Sequence, residues 1–376
     1  MIYLDYAANT PVEEEVLACF CQAARKFMGN ANSQHSLGIA AKAEMERITI
    51  SIAQLMDIKP EEIIYTSGAT ESNNLALKGL VAAQKKYGRH IISTPLEHSS
   101  VSSCLATLQQ QGYVVDYVGL GIDGKVDLKA LQTKLRPDTI LVAVSAVDSE
   151  LGTIQPVAEI ATILQKFPQL RFHVDATQAM GKLEIPLAGI DTMSFAPHKF
   201  YGLCGSGVLY KRKGVELIPL IEGGSSTTRY RSGTPALALA AATEVALRLA
   251  LLQRKDWLAA VAKKQAFLRS ELSKYAKVRI NSPLTGSPYI LNLSVAGVRG
   301  ENFQRLLNAK GVCVSVRSAC STAGKPSPAV LAVTGDYWNA LSSWRISLSH
   351  LTTEAELEEF LRIFVACYQE LTGTTK

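Results

Sequence analysis

Several signatures are missing from this sequence, and each absence removes a class of protein. Seven cysteines occur, at 19, 21, 104, 204, 313, 320 and 367, yet none forms a Cys-x-x-Cys pair or a zinc-type spacing. An odd count without such spacing argues against a disulfide framework and a structural zinc module, and suggests free thiols in a reducing cytoplasm. No G-x-x-x-x-G-K-[ST] is present and no G-x-G-x-x-G follows the first candidate strand, so nucleotide and NAD readings lack their fingerprint. Long apolar runs are also missing. The nearest, "PALALAAATEVALRLALL" from Pro235, is broken by Glu244 and Arg248 and reads as a buried amphipathic helix, not a membrane span. The start, "MIYLDYAANTP", has no basic region followed by an apolar core, so no secretory signal is expected. Charge runs are few: the net charge is +6, and Lys211-Arg212-Lys213 is too short and too poor in aromatics for a nucleic-acid footprint.

What is present is an alternation. Short apolar runs at 62–67, 90–94, 113–118, 139–147, 171–176, 191–197 and 205–211 are separated by helical stretches such as "ESNNLALKGLVAAQKK" and "PVAEIATILQKF". Runs apolar on both faces, spaced by helices, predict an α/β fold with a mostly parallel seven-stranded sheet covered by helices. After residue 255 come a long helix, "SPYILNLSVAG", "GVCVSV", a Gly/Ser/Pro-rich loop, "WRISLS" and a last helix, the pattern of a smaller α+β lobe. The chain length of 376 also favours two lobes. The expected division is a large domain over 14–255 and a small one made of 1–13 and 256–376.

Open α/β sheets bind ligands at the carboxyl ends of their strands. The residues expected there are Ser67-Gly68-Ala69-Thr70-Glu71, Glu97-His98, Asp148-Ser149-Glu150, Asp175-Ala176-Thr177-Gln178 and, after "SFAP", His198-Lys199. A glycine turn opening a helix presents N–H groups and the Thr70 hydroxyl to an anion such as phosphate. A lysine ending an apolar run has its ammonium desolvated, which lowers its pKa and makes it a nucleophile. Phosphate cradle, aspartate and lysine together suggest pyridoxal phosphate, whose needs are an amine, a carboxylate for the pyridine nitrogen and an anion site.

The chain resembles the cysteine desulfurases, in particular the NifS/IscS-like branch of the class V aminotransferase group. The resemblance rests on "YLDYAANTP", "GNANSQHSLG", "YTSGATESNN", "LEHSSV", "DSELGTIQP", "HVDATQAMGK", "SFAPHKFYG", "RSGTP", "NLSVAGVRGE", "SACST" and "WRISLSHLTTEAEL", in the family's order over essentially the whole chain. It implies the pyridoxal-phosphate fold type I and conversion of L-cysteine to L-alanine. Lys199 would then carry the coenzyme and move the α-proton, Asp175 would pair with the ring nitrogen, and His98 would stack on the ring. Gln178 and position 149 would face the ring hydroxyl. Ala69, Thr70 and His198 would hold the phosphate, with Thr234 reaching it from the partner of a homodimer. Arg345 and Asn32 would bind substrate. Cys320, in the loop "RSACSTAGKPSP", would take the sulfur as a persulfide and pass it to a protein acceptor, in an iron–sulfur, tRNA-modifying or dedicated pathway. The remaining thiols read as structural. No metal, membrane or direct nucleic-acid partner is expected.

Three positions depart from the family pattern. Ser149 stands where an asparagine is expected, Ala196-Pro197 replace a serine and an alanine, and Arg317 replaces a glycine just before "SAC". The hydroxyls at 225–228 could make up for the one lost at 196, and Arg317 could lower the Cys320 pKa or steer an anionic partner. Two other functions fit the same residues. One is a lyase or aminotransferase of this fold acting on selenocysteine, cystine or another amino acid; the other is a degenerate, non-catalytic paralogue kept as a binding partner.

Overall fold

The structure, a computed structural model, describes residues 1–224, 226–317 and 324–374. After β1 (Ile2–Tyr3) come two helices, α1 (Glu14–Lys26) and α2 (Ser36–Met56). The alternating region then runs β2 (Ile63–Thr66), α3 (Ala69–Gln84), β3 (His90–Ser93), α4 (Ser99–Gln110), β4 (Val114–Tyr117), α5 (Leu128–Lys134), β5 (Thr139–Ser145), α6 (Val157–Leu164), β6 (Arg171–Asp175), β7 (Thr192–Phe195) and β8 (Gly207–Lys211). All seven strands fall inside the segments expected from apolar runs. In the middle of the sheet β7, β5 and β3 are buried along their whole length, β5 over all seven residues, because helices cover both faces.

The sheet order is β2-β8-β7-β6-β5-β3-β4. Only β8 runs against its neighbours, β2 and β7. Six strands therefore share one direction, and their carboxyl ends line a single edge. The loops that leave β2, β5, β6 and β7 open there, together with the start of α4, which His98 caps.

The remainder is α7 (Leu237–Leu272), β9 (Val278–Ile280), β10 (Ile290–Val295), α8 (Gly300–Ala309), β11 (Val312–Cys313), α9 (Pro328–Thr334), α10 (Tyr337–Ser342), β12 (Ser343–Ser347) and α11 (Glu354–Thr372). Strands β9, β10 and β12 form a three-stranded antiparallel sheet in the order β12-β10-β9. The amino terminus joins this part: β1 pairs with β11, and Asp5 bridges to Ser347. Residue 255 lies inside helix α7, which is continuous over 36 residues, with neither Gly nor Pro to break it. It buries Leu247 and Ala250 before that point and Val261 and Leu268 after it, so one helix serves both layers.

Candidate active site

Strand β7 is wholly buried and Ala196 after it is fully buried. Pro197 then opens a short 3-10 turn, Pro197–Lys199, its fixed φ suiting the first position. The turn delivers Lys199 at the sheet edge, where Nζ donates to the carbonyls of Ala7 (3.0 Å) and Ala8 (2.6 Å). Burial, then the neighbouring Arg345, pull this amine down to about 8, against the pull of Asp5 and Asp175. At pH 7 about a tenth of it is uncharged, against well under a thousandth at an ordinary lysine value. The next residues are held firmly. Tyr201 adopts φ 66°, a left-handed conformation that costs a side-chain-bearing residue about 1–2 kcal/mol. Thr10 Oγ1 accepts its N–H at 2.8 Å and Ser349 Oγ bonds its hydroxyl at 2.6 Å.

Asp175, the last residue of β6, sits in a satisfied polar network. Its Oδ2 accepts from Asn73 Nδ2 at 2.8 Å and its Oδ1 from the N–H of Thr177 at 2.9 Å. Asn73, fully buried on α3, also donates to Ser100 Oγ at 2.8 Å. Its Oδ1 accepts from His173 Nε2 (3.0 Å) and from the Ser194 hydroxyl. His173 Nδ1 meets Thr192 Oγ1 at 2.9 Å, and burial drives its pKa down to about 4, so it is a neutral spacer. The same bonds reach His98, whose Nδ1 accepts the Ser100 N–H (3.1 Å) and lies 2.9 Å from Ser100 Oγ. Since Nδ1 accepts, the proton of the neutral ring is on Nε2. Burial lowers the His98 pKa, with Asp175 opposing and Lys199 assisting.

The anion end looks different. Ala69 and Thr70 are the first residues of α3, whose free N–H groups face the edge. Gly207 is needed there, because a Cβ on it would lie 2.5 Å from the backbone carbon of Gly68. His198 Nδ1 and Thr177 Oγ1 are buried without a hydrogen-bond partner. Burial, with Lys199 and Lys182 adding to it, takes His198 down to about 4. Unpartnered polar atoms beside a helix amino terminus, an amine and a braced carboxylate match the needs of pyridoxal phosphate, so the residues fit that group.

Arg345, on β12 and 2 % exposed, donates to Asp5 Oδ1 (2.8 Å) and to the Ser149 carbonyl (2.7 Å), while its Nε has no partner. Asp148 caps the turn beneath, accepting from the N–H of Glu150 at 3.1 Å and from that of Leu151. Burial, then Glu150, push its carboxyl up to about 7. Gln178 Nε2 donates to the Ala7 carbonyl at 2.9 Å, the same oxygen that receives Lys199.

Lys199, Asp175, His98, Gln178, His198, Ser149 and Arg345 thus converge. Asn32 and Thr234 do not. Both are exposed, and among the described residues neither bonds to this group; Asn32 Nδ2 instead meets Ser226 Oγ at 3.4 Å. Of the 225–228 hydroxyls, Ser225 lies outside the described residues, and Thr228 Oγ1 is engaged with the N–H of Tyr230. Cys320 also lies outside the described residues. Arg317 is 7 % exposed. It donates to Glu301 Oε1 at 2.8 Å and to the Lys325 carbonyl, and that Glu301 oxygen also accepts the Gly324 N–H at 2.6 Å. Glu301 thus pairs with its charge. Cys104 and Cys367 are buried, as structural thiols should be, but Cys204 is exposed in a glycine turn, with Sγ 3.5 Å from Asn9 Oδ1. Sequence reasoning assigned no role to Asn73, Lys182 or Asp5, though all three stand inside the quoted motifs.

The class-V aminotransferase model matches residues 2–360. The chain belongs to that family. Within it the chain groups with the NifS/IscS-like cysteine desulfurases. It is 34% identical over 375 residues to cysteine desulfurase IscS of Dictyoglomus turgidum, covering 98% of this chain and 95% of that one. Among solved structures, a NifS-like protein superposes with a TM-score of 0.91 at 34% identity, covering 99% of this chain and 100% of the other. SspA in complex with cysteine gives 0.82 at 29% identity, over 94% of this chain and 100% of that one.

Proposed function

We propose that this chain is a pyridoxal-phosphate-dependent cysteine desulfurase that converts L-cysteine to L-alanine and loads the released sulfur on Cys320. The observation that carries the reading is the Lys199 amine, desolvated between the Ala7 and Ala8 carbonyls, close to an Asp175 braced by Asn73. The relative named cysteine desulfurase and the neighbour solved with cysteine point the same way. Bound here, the coenzyme supplies an electron sink that loosens the bonds at the substrate α-carbon. Lys199 would be the amine that holds the coenzyme and the base that moves the substrate α-proton. Asp175 would hold a proton on the ring nitrogen, while Ala69, Thr70 and His198 would hold the phosphate. His98, Gln178 and Ser149 would hold the ring. Arg345, with Asn32, takes the substrate carboxylate in its two-pronged fork.

The sulfur step balances without an outside redox agent: L-cysteine plus the Cys320 thiol gives L-alanine plus the Cys320 persulfide. The carbon–sulfur bond breaks and a sulfur–sulfur bond forms. A protein acceptor then draws off the sulfur in the cytoplasm. The enzyme acts as a homodimer, in which a second copy presents Thr234 to the phosphate. A groove of about 900 Å³, lined by Asn32, Ile39, Ile50, Ser226, Thr227 and Pro235, offers the surface for that pairing.

The test is a stoichiometric assay with pyridoxal phosphate, L-cysteine and a reductant. Alanine and sulfide should appear one to one, Cys320→Ser should abolish both, and borohydride should leave a phosphopyridoxyl group on Lys199. A Cys320→Ser protein at full turnover would mark a lyase or aminotransferase instead, and an unmodified Lys199 would reject the coenzyme altogether.

A further inference from the structure

Two lysines among the described residues are more deeply buried than Lys199 and have no role in the chemistry above: Lys211, whose Nζ is taken up by the Arg212 and Val215 carbonyls, and Lys182. Lys182 lies seven residues beyond Asp175, at the end of the turn that follows β6, and is 4 % exposed. Its Nζ donates to Gln178 Oε1 at 3.2 Å and stands 5.5 Å from the centroid of the Tyr289 ring. No carboxylate pairs with it among the described residues. The charged groups that act on it, Lys199 and Arg345, carry its own sign. A buried ammonium without a counter-ion is costly, so its retention calls for a local reason.

The bonding supplies one. Gln178 has its oxygen on Lys182 and its Nε2 on the Ala7 carbonyl, and that carbonyl also receives Lys199 Nζ. A carboxamide can rotate by half a turn at little cost unless a partner distinguishes its two ends. An ammonium has only donors, so it fixes the oxygen end toward itself and the nitrogen end toward Ala7. Gly181 lets the chain turn here: its φ is +75°, and a Cβ would lie 2.9 Å from Ala250 and 3.0 Å from Phe200.

We infer that Lys182 is a positioning residue for the Lys199 amine, acting through the orientation of Gln178. The inference rests on the reading of Lys199 as the reactive amine. Burial and the like-signed neighbours also bring Lys182 itself down to about 7, so its charge is partly lost just above neutrality. Asp5, Asp175 and Cys204 pull Lys199 the other way, and none of them is removed in the test.

The test uses full-length, coenzyme-free protein, so it reads separately from the borohydride experiment. Competitive acetylation with acetic anhydride from pH 6 to 10, read for the Lys199 peptide by mass spectrometry, gives the titration of that amine. In Lys182→Met the Gln178 amide is free to turn its donor away from Ala7, that carbonyl then holds the Lys199 ammonium more strongly, and the midpoint should rise, slowing Lys199 labelling at pH 7 about threefold. Lys182→Arg, which keeps charge and donors, should restore most of the wild-type profile. Gln178→Leu, which removes the amide itself, should move the midpoint the same way. A purely structural lysine would lower the melting temperature and leave the Lys199 profile in place. Profiles of Lys182→Met and Gln178→Leu that both overlay the wild type would overturn the inference, and Gln178→Leu alone decides it if Lys182→Met does not fold.

Discussion

The two halves of the site are built on opposite rules. Around Asp175, every polar atom of Asn73, His173 and Asp175 that could be orphaned by burial has a partner. Around His198 and Arg345, three buried atoms have none: His198 Nδ1, Thr177 Oγ1 and Arg345 Nε. A satisfied network is rigid, and it fixes where a carboxylate and an imidazole stand before any ligand arrives. An unsatisfied one stores desolvation that a phosphate or carboxylate can relieve. Orientation is therefore provided by the protein alone, and affinity is completed by the ligand.

Substitutions can break that contrast, beginning in the closed half. Asn73→Ala strands His173 Nε2 and Asp175 Oδ2 together, so unfolding in urea should show a loss of about 2–4 kcal/mol with or without coenzyme. A variant as stable as the parent would mean the network is not what fixes Asp175. In the open half, His198→Ala should leave the coenzyme-free protein about as stable as before. Its effect should fall on pyridoxal phosphate binding, weakened by roughly 1–3 kcal/mol, or about 5- to 150-fold, in an equilibrium titration. If stability fell while binding held, the halves would not differ as described.

Arg317→Gly sharpens the picture outside the site. It removes a half-buried ion pair and one backbone anchor, and about 1–2 kcal/mol of stability should go with them. The Cys320 thiol titration, followed by alkylation rate against pH, should stay put, since the Arg317 charge is spent on Glu301. A thiol pKa that rises in the variant would restore a direct role for Arg317. Asp148 tests the site through pH instead. Its folded-state value, about 7, lies above that of an unfolded aspartate, so the folded protein holds an extra proton from about pH 4 to 7 and loses stability as pH rises through that window. Asp148→Asn should flatten the slope, narrowing the gap between unfolding free energies at pH 5 and pH 8. An unchanged gap would show that Asp148 ionises normally.

Much of this was legible in the sequence, for identifiable reasons. Apolar runs with helical spacers placed all seven strands of the main sheet, because a two-sided sheet leaves no polar face to blur the signal. Lys199 and Asp175 stood out because a charged residue ending an apolar run is rare without a purpose. Asn73 was passed over: within "ESNN" it is one polar helix residue among several, and only packing shows that it faces His173 and Asp175. Lys182, after a glycine, reads like a surface lysine until Tyr289 is seen beside it, 107 positions along the chain. The pairing of Arg317 with Glu301 is invisible in the chain order, because it depends on how helix α8 docks against the segment that carries Arg317.

By itself, the order of apolar and polar residues determined the strand set, the chemistry of the strand ends and the lysine that closes an apolar run, since each depends on neighbours along the chain. Only the folded arrangement decided which polar atoms are matched and which are left waiting, because hydrogen bonding and desolvation are settled between residues often a hundred or more positions apart.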